Sequence, residues 1–176
     1  MLLEIGKYKV RSYMPSDKKA LIKYANNHNV SKNLRDSFPF PYTEKDAKVW
    51  LHSVLNQHPE LNFAIANEIE LIGGIGLMSQ PDVYRYSAEI GYWLAEPFWD
   101  KGITTLALIA MTKYIFENFN FNRLFAGVFE GNTGSRKVLE KAGYKLEGRL
   151  RKTVYKEGSF KDQFMYSILR DEYETK

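Results

Sequence analysis

The segment from Trp93 to Thr105 carries the residues best suited to chemistry, in the sequence WLAEPFWDKGITT. A predicted strand ends there, a loop follows, and Gly102 precedes a predicted apolar helix. The first backbone N–H groups of a helix have no partner within the helix and carry partial positive charge, which suits a phosphate group. Gly102 would let a ligand approach the backbone closely, and Thr104 and Thr105 add hydroxyl groups. Spacing alone leaves open both a pyrophosphate site and an ordinary loop with a glycine at its turn.

A second helix start lies within residues 130–144, EGNTGSRKVLEKAGY. Asn132 has the side chain of a helix N-cap, Ser135 is a polar residue of the first turn, and Gly143 suits the turn that ends a helix. By themselves, Asn132 and Ser135 indicate nothing beyond the capping of this helix.

Composition excludes several other kinds of site. The 176 residues contain no cysteine and only three histidines, so we expect no disulfide, no acyl-cysteine intermediate and no metal site. The P-loop sequence, GxxxxGK followed by Ser or Thr, is absent. Gly74 and Gly76 lack the third glycine of a dinucleotide-binding fingerprint, because residue 79 is serine. We expect these glycines instead to let another backbone approach their strand closely.

Charge and hydropathy are those of an ordinary cytoplasmic protein. Lys and Arg total 25 against 21 Asp and Glu, a net charge of +4, with no dense basic block of the kind that binds nucleic acid. The longest apolar run, residues 106–111, is too short to cross a bilayer, and the first residues do not form a signal peptide. We therefore expect a cytoplasmic location and neither a nucleic-acid nor a membrane partner.

Hydrophobic periodicity predicts a mixed α/β fold in a single domain, residues 1–176. Strands are predicted over residues 8–14, 62–66, 70–78, 87–94, 123–129, 145–155 and 159–169. One helix is predicted to begin with Ser16 as its N-cap, and another with a capping box from Thr43 to Asp46. Two more follow, over 103–118 and 132–142. The order β-α-α-β-β-β-α-β-α-β-β implies an antiparallel half and one β-α-β crossover.

Together these segments resemble the GCN5-related N-acetyltransferase (GNAT) superfamily, and within it the ribosomal-protein N-acetyltransferases of the RimJ/RimL branch. The resemblance covers nearly the whole chain. Its pieces are the opening strand, FPFPYT at 38–43, Trp50, EIGYWL at 89–94, WDKGITT at 99–105, NTGS at 132–135 and KAGY at 141–144. The superfamily's pyrophosphate loop starts with Gln or Arg, where this chain has Trp99, a residue common in the branch. It ends with Gly or Ala, where this chain has Thr104.

This resemblance implies a GNAT fold, with a twisted, mostly antiparallel central sheet and helices on both faces, and acetyl-CoA as co-substrate. The pyrophosphate would bind backbone N–H groups within Lys101, Gly102, Ile103, Thr104 and Thr105. The pantetheine arm would lie along Trp93, Leu94 and Ala95, and Asn132 would form a hydrogen bond to it.

The resemblance also implies catalytic candidates, with two departures from the wider family. Many relatives place a tyrosine acid seven residues after the asparagine, where this chain has Leu139. The branch has serine at the place of Ser135, which is therefore the candidate acid or hydrogen-bond donor to the leaving thiolate. The carboxylate base of some relatives would fall near Val154, which cannot serve. Glu89, on the central strand, is then the candidate base, acting through water, although a structural role for it stays open.

The acceptor is implied to be a primary amine, most simply a protein N-terminal α-amine. Phe38, Phe40, Tyr42 and Tyr155 would line an aromatic cleft for it. A small-molecule amine acetyltransferase, acting on a polyamine or an antibiotic, and a non-catalytic CoA-binding regulator remain alternatives. Asp162 either faces the cleft or is a charge on an edge strand. The apolar excess of the helix over 103–118 fits either deep burial or a homodimer.

Overall fold

The computed structural model of the protein describes residues 1–174. Its strands are β1 (Leu2–Ile5), β2 (Tyr8–Ser12), β3 (Asn62–Ala66), β4 (Leu71–Ser79), β5 (Ser87–Leu94), β6 (Arg123–Phe129), β7 (Lys145–Lys156) and β8 (Ser159–Leu169). Its helices are α1 (Lys18–Ala25), α2 (His28–Ser31), α3 (Glu44–Leu55), α4 (Ile103–Asn118), α5 (Thr133–Lys141) and α6 (Arg170–Glu174). No helix among these residues is long and apolar enough to cross a membrane.

The strands form one sheet in the order β1-β2-β3-β4-β5-β6-β8-β7. The pairs β1/β2, β2/β3, β3/β4, β6/β8 and β7/β8 are antiparallel. Strands β5 and β6 are parallel, with Glu89 opposite Phe125, and α4 connects them. A parallel pair needs such a crossover, because a tight turn can join only antiparallel strands. The predicted mixed α/β class, the mostly antiparallel sheet and the β-α-β crossover are confirmed.

Three local predictions are wrong. Strand β1 was not expected, since four residues are too few to show a clear period; it is held by pairing with β2. The segment after α1 contains the short helix α2, which Asn27 caps by accepting a hydrogen bond from the Asn29 N–H at 2.8 Å. Asp17, not Ser16, caps the turn before α1. Its carboxylate accepts from the Met14 N–H at 2.8 Å while also binding the Arg11 guanidinium.

The chain divides into two compact units, of which the first comprises residues 1–76 and 92–107. Its core packs the apolar faces of α1 and α3, with Leu21 and Leu51 buried, against the inner strands. Gly74 and Gly76 in β4 permit close approach, as expected. A Cβ at Gly74 would lie 2.5 Å from the Tyr13 hydroxyl, and one at Gly76 would lie 2.1 Å from Asn62 Oδ1. The nearest atoms belong to side chains, however, rather than to another backbone.

The second unit comprises residues 77–91 and 108–174 of the described chain. Strands β7 and β8 form its hairpin, whose two-residue turn, Glu157 and Gly158, has positive φ at both positions (51° and 76°), as a type I′ turn requires. Tyr144, just after α5, shares a hydrogen bond of 2.9 Å with Thr112 of α4 inside this unit.

Helix α4 is less completely buried than its apolar sequence predicts. Leu108, Met111 and Ile115 are fully buried, but Leu106 and Ile109 are 47% and 42% exposed. Deep burial therefore does not account for all the apolar residues of this helix.

Candidate active site

The first part of the candidate site lies where β5 ends and the chain turns back towards α4. Trp93 and Leu94 end this strand, and the N–H of the next residue, Ala95, donates to the Ile72 carbonyl at 2.8 Å. The Trp99 indole Nε1 donates to the Leu94 carbonyl at 2.7 Å. This bond folds the loop of residues 95–102, the β5–α4 loop, back onto the end of its own strand.

The β5–α4 loop ends in a tight turn that leaves space beside the backbone. Asp100 and Gly102 have positive φ values of 58° and 74°, and a Cβ at Gly102 would meet no atom within 4 Å. The Gly102 carbonyl accepts the first helical hydrogen bond, from the Leu106 N–H at 3.1 Å. The N–H groups of the three residues before Leu106 therefore belong to the first turn, where a helix offers no backbone partner. The predicted anion site at this helix start stays a prediction, and the first turn has the backbone geometry that it needs.

The side chains around this helix start take different positions. The Ile103 side chain is buried and Thr104 and Thr105 are half-buried. Lys101 is exposed, and its Nζ donates to the Pro97 carbonyl at 2.8 Å. The Lys101 ammonium group is thus held against the backbone of its own loop.

The predicted acceptor residues of the first unit lie on residues 27–42, which we call the aromatic segment. The Phe38 ring centroid is 5.4 Å from that of Tyr42 and 5.5 Å from that of Trp93. Tyr42 is buried, and burial raises the pKa of its phenol to about 12. Phe40 is 51% exposed and lies 5.5 Å from the His28 ring. The structure therefore brings Phe38, Tyr42 and Trp93 together and leaves Phe40 at the surface.

In the second unit, Asn132 and Ser135 form the start of α5. The Asn132 Oδ1 accepts a hydrogen bond from the Ser135 N–H at 3.2 Å, which confirms the N-cap interpretation of Asn132. Gly143, after the end of this helix, has a φ of 91°, as expected for a residue that ends a helix. The Ser135 side chain is half-buried, and its backbone N–H makes the cap contact.

Glu89 and Tyr155, the two remaining candidates, lie on different strands of the second unit. Glu89 is half-buried in β5. Tyr155 lies near the end of β7, is 61% exposed, and packs its ring 5.0 Å from Phe160 across the hairpin. No group of residues within 1–174 has the acidic and histidine side chains clustered as a metal ion would need.

Asp162 is a buried structural carboxylate, and the edge-strand interpretation of it is wrong. Its strand, β8, lies between β6 and β7 and is not at an edge. The Lys152 N–H donates to Asp162 Oδ1 at 2.8 Å, and the Arg149 Nε–H donates to Oδ2. These two bonds, the backbone one first, lower the pKa of Asp162. They hold the irregular stretch of β7 between Leu150 and Val154, where the register with β8 shifts.

Sequence reasoning missed Glu96, which joins two of the segments above. Its carboxylate accepts hydrogen bonds from the side-chain amides of Asn27 and Asn29 at 2.7 and 3.0 Å. The only signal in the sequence is an acidic residue in the same loop as Gly102, and nothing there identifies its partners 67 and 69 residues away.

Comparison with known proteins identifies relatives over most of this architecture. The Acetyltransferase (GNAT) domain family matches residues 9–145. YdaF of Bacillus subtilis (strain 168), named provisionally as a ribosomal N-acetyltransferase, is 40% identical over 104 residues, which span 59% of this chain and 56% of that protein. YjcK of the same organism, named a probable N-acetyltransferase, is 36% identical over 122 residues, 68% of this chain and 67% of that protein.

A solved structure shares the fold. RimL, described as a ribosomal L7/L12 alpha-N-protein acetyltransferase in complex with coenzyme A, superposes with a TM-score of 0.85 at 21% identity, over 98% of this chain and 99% of that one. At that identity the likeness concerns the fold alone. The family match, the identity with YjcK and the shared fold agree with the sequence resemblance. The chain belongs to the GNAT family of acetyltransferases and is an acyltransferase.

Proposed function

We propose that the protein transfers an acetyl group from acetyl-CoA directly to a primary amine, and that this amine is the N-terminal α-amine of a protein. One observation carries the cofactor assignment: the first turn of α4 borders open space at Gly102, while the Trp99 indole fixes the loop before it. Pyrophosphate binding at such a helix start follows from the partial positive charge of its N–H groups. We assign the contacts to the backbone of residues 101–105.

The remaining cofactor contacts are proposed from the family resemblance. The pantetheine arm would lie along Trp93, Leu94 and Ala95, and Asn132 would bind it in addition to capping α5. Since the Ala95 N–H already donates to the Ile72 carbonyl, we assign the oxyanion of the tetrahedral intermediate to the Leu94 N–H. Ser135 would donate a hydrogen bond to the departing thiolate of CoA.

The chemistry requires a neutral amine. Without a cysteine, no thioester can form on the enzyme, so the amine attacks acetyl-CoA directly. At pH 7, deprotonation costs about 1 kcal/mol for an α-amine and about 4.6 kcal/mol for a lysine. Glu89, acting through water as general base, would deprotonate an α-amine easily. It would deprotonate a lysine only if burial of the lysine lowered the pKa of the amine. This difference favours an α-amine acceptor.

The acceptor would bind against exposed aromatic rings. In the first unit Phe40 is exposed whereas Tyr42 is buried, so we assign direct contact to Phe40 and a supporting role to Phe38 and Tyr42. Tyr155, which is exposed in the second unit, is proposed as an acceptor residue from the resemblance alone. The name of YdaF, a ribosomal N-acetyltransferase, supports a ribosomal protein as acceptor. That its N-terminal α-amine is the group acetylated is our own proposal. A single domain, a cytoplasmic location and a homodimer stay predictions.

An amine panel tests this proposal. The protein is incubated with acetyl-CoA and peptides with a free N-terminal Ser or Ala, the same peptides blocked at the N-terminus but containing lysine, a polyamine and an aminoglycoside. Thiol release and mass spectrometry of the products are measured. Acetylation of the free α-amine alone is expected. Turnover only with the polyamine or aminoglycoside would make it a small-molecule enzyme, and CoA binding without any turnover would make it a regulator.

A further inference from the structure

The Glu96 carboxylate accepts two hydrogen bonds within the first unit, one at each oxygen. Its Oε2 accepts from the Asn27 Nδ2 at 2.7 Å and its Oε1 accepts from the Asn29 Nδ2 at 3.0 Å. Glu96 is half-buried, so these bonds are partly shielded from water. Bonds to a charged acceptor are about twice as strong as those between neutral groups.

The two asparagines can present only donors to this carboxylate. The Asn27 Oδ1 is already used, because it accepts from the Asn29 N–H at 2.8 Å and caps α2. The Asn29 Oδ1 is also used, because it accepts from the Lys32 Nζ at 2.8 Å. Each amide therefore turns its NH₂ group to Glu96, and each of the two carboxylate oxygens accepts one of these bonds.

The other end of the aromatic segment is fixed by a neighbouring residue. The Tyr42 N–H donates to the Asn26 Oδ1 at 3.0 Å. Asn26 and Asn27 thus hold the two ends of a loop that carries Phe38 and Phe40. The start of that loop is attached to Glu96, and Phe38 packs against Trp93.

The backbone of Glu96 belongs to the loop assigned to the cofactor. Its carbonyl accepts from the Trp99 N–H at 3.1 Å, which closes a 3₁₀ turn (Glu96–Phe98). The Trp99 indole in turn binds the Leu94 carbonyl. Glu96 therefore lies one short turn from residues 99–102 and is joined to the aromatic segment by two hydrogen bonds.

We propose that Glu96 is a positioning residue through which acetyl-CoA, bound at the β5–α4 loop, fixes the aromatic segment and so strengthens binding of the acceptor. This inference rests on the proposed function, which puts the cofactor at that loop and the acceptor at those rings. By linkage, the acceptor then strengthens acetyl-CoA binding by the same factor.

Hydrogen–deuterium exchange tests the coupling without knowledge of the acceptor. CoA is added to the wild type and to Glu96→Gln, and exchange of amides 28–42 is followed while calorimetry measures CoA affinity. The wild type is expected to gain protection in this segment on binding CoA. Glu96→Gln should bind CoA within about threefold of the wild type but gain no protection there, because one of the two acceptor oxygens becomes an NH₂ donor that faces an asparagine NH₂ group. Glu60→Gln, which changes a half-buried carboxylate bound to Ser12 in the same unit, is the matched control and should respond like the wild type.

A second set of variants, in which the carboxylate and the amide exchange places between positions 96 and 29, distinguishes loss of coupling from a folding defect. Asn29→Asp alone places two carboxylates together and should abolish the response to CoA. Combined with Glu96→Gln it should restore the response, since the glutamine amide then donates to the new carboxylate and its oxygen accepts from Asn27. With an active peptide, Glu96→Gln should raise the acceptor KM by about tenfold, within the usual range of coupling between sites, and leave kcat less affected.

The outcomes separate the two proposals. Full CoA-dependent protection of residues 28–42 in Glu96→Gln would overturn the role of Glu96 and leave the proposed function intact. CoA binding by the wild type with no change in this segment would do the same. Failure of the wild type to bind CoA would overturn both. Failure to acetylate peptides, with the exchange response present, would overturn only the acceptor assignment.

Discussion

Ser135 has two roles that belong to different groups of the same residue: its backbone N–H caps α5, and its hydroxyl is the proposed donor to the thiolate. Its N–H completes the α5 cap with Asn132, and this bond survives any change of side chain. Alanine at this position therefore keeps the backbone donor of the cap. A donor to the developing thiolate acts mainly in the transition state.

We predict that Ser135→Ala lowers kcat more than it raises the KM for acetyl-CoA. Thr133→Ala, at an exposed position of the same helix turn, is the control and should be close to wild type. Steady-state kinetics with both substrates varied measures the effect. Equal kcat in Ser135→Ala and the wild type would remove Ser135 from catalysis.

The sequence leaves two roles open for Glu89, that of a general base and that of a structural carboxylate. Kinetic measurements distinguish them. If it relays a proton through water, Glu89→Gln should reduce kcat/KM by about 10²–10⁴-fold near pH 7. The loss should shrink as pH approaches the pKa of the amine, where neutral amine is plentiful. A pH–rate profile from 6 to 9 measures this. A normal profile in a folded variant that still binds acetyl-CoA would make Glu89 structural, with the proton passing to solvent.

At the scale of elements, the β5–α4 loop depends on Gly102 both for its conformation and for the open space. We predict that Gly102→Val weakens CoA binding, since the new side chain would fill the space assigned to the pyrophosphate. Valine at a φ of 74° also strains the backbone, by about 1–2 kcal/mol. Gly6→Val is the matched control, because Gly6 has a φ of 70° and equally open surroundings in the β1–β2 turn.

The two variants should lose similar stability, and only Gly102→Val should lose CoA affinity in calorimetry. Unchanged affinity in a folded Gly102→Val protein would place the pyrophosphate elsewhere. Equal losses of affinity in both variants would attribute the effect to backbone strain alone.

Capping and turn preferences predict those features that depend only on residues adjacent in the sequence. The capping box from Thr43 to Asp46, the Asn132 cap and the turn after Lys156 follow from a few adjacent residues, and all three are confirmed. Asp162 and Glu96 could not be assigned in this way, because their partners come from other strands or from residues far along the chain. Sequence pattern finds a carboxylate but not the donors that the fold brings to it.

For the whole molecule, the family resemblance predicts the strand order, which hydrophobic periodicity does not. Periodicity alone predicts strands and a crossover, but the strand order depends on pairings between distant segments, such as β6 with β8. The family supplies that order through FPFPYT, WDKGITT and NTGS, each of which is weak alone. What the family leaves open is the acceptor, because Phe40 and Tyr155 are exposed and burial in a core does not fix which residues stand there.

The stability of the whole chain should fall in alkali, because buried tyrosines must ionise when they unfold. Burial raises the pKa of Tyr42 to about 12, with a smaller contribution from the charge of Asp46, and burial also raises the pKa of Tyr13. In the unfolded chain both titrate near pH 10. Between pH 10 and 12 the folded state therefore holds more protons than the unfolded state, and the free energy of unfolding decreases as pH rises.

We predict that the Tyr42 contribution, about 3 kcal/mol from a shift of two pKa units, is complete below pH 10 and is lost through pH 12. Urea unfolding of the wild type and Tyr42→Phe at pH 8 and pH 11.5 measures it. Phenylalanine keeps the ring and has no proton to lose, so the variant should resemble the wild type at pH 8 and lose less stability at pH 11.5. Parallel losses in the two proteins would show that Tyr42 titrates alike in both states, and that its burial does not oppose ionisation.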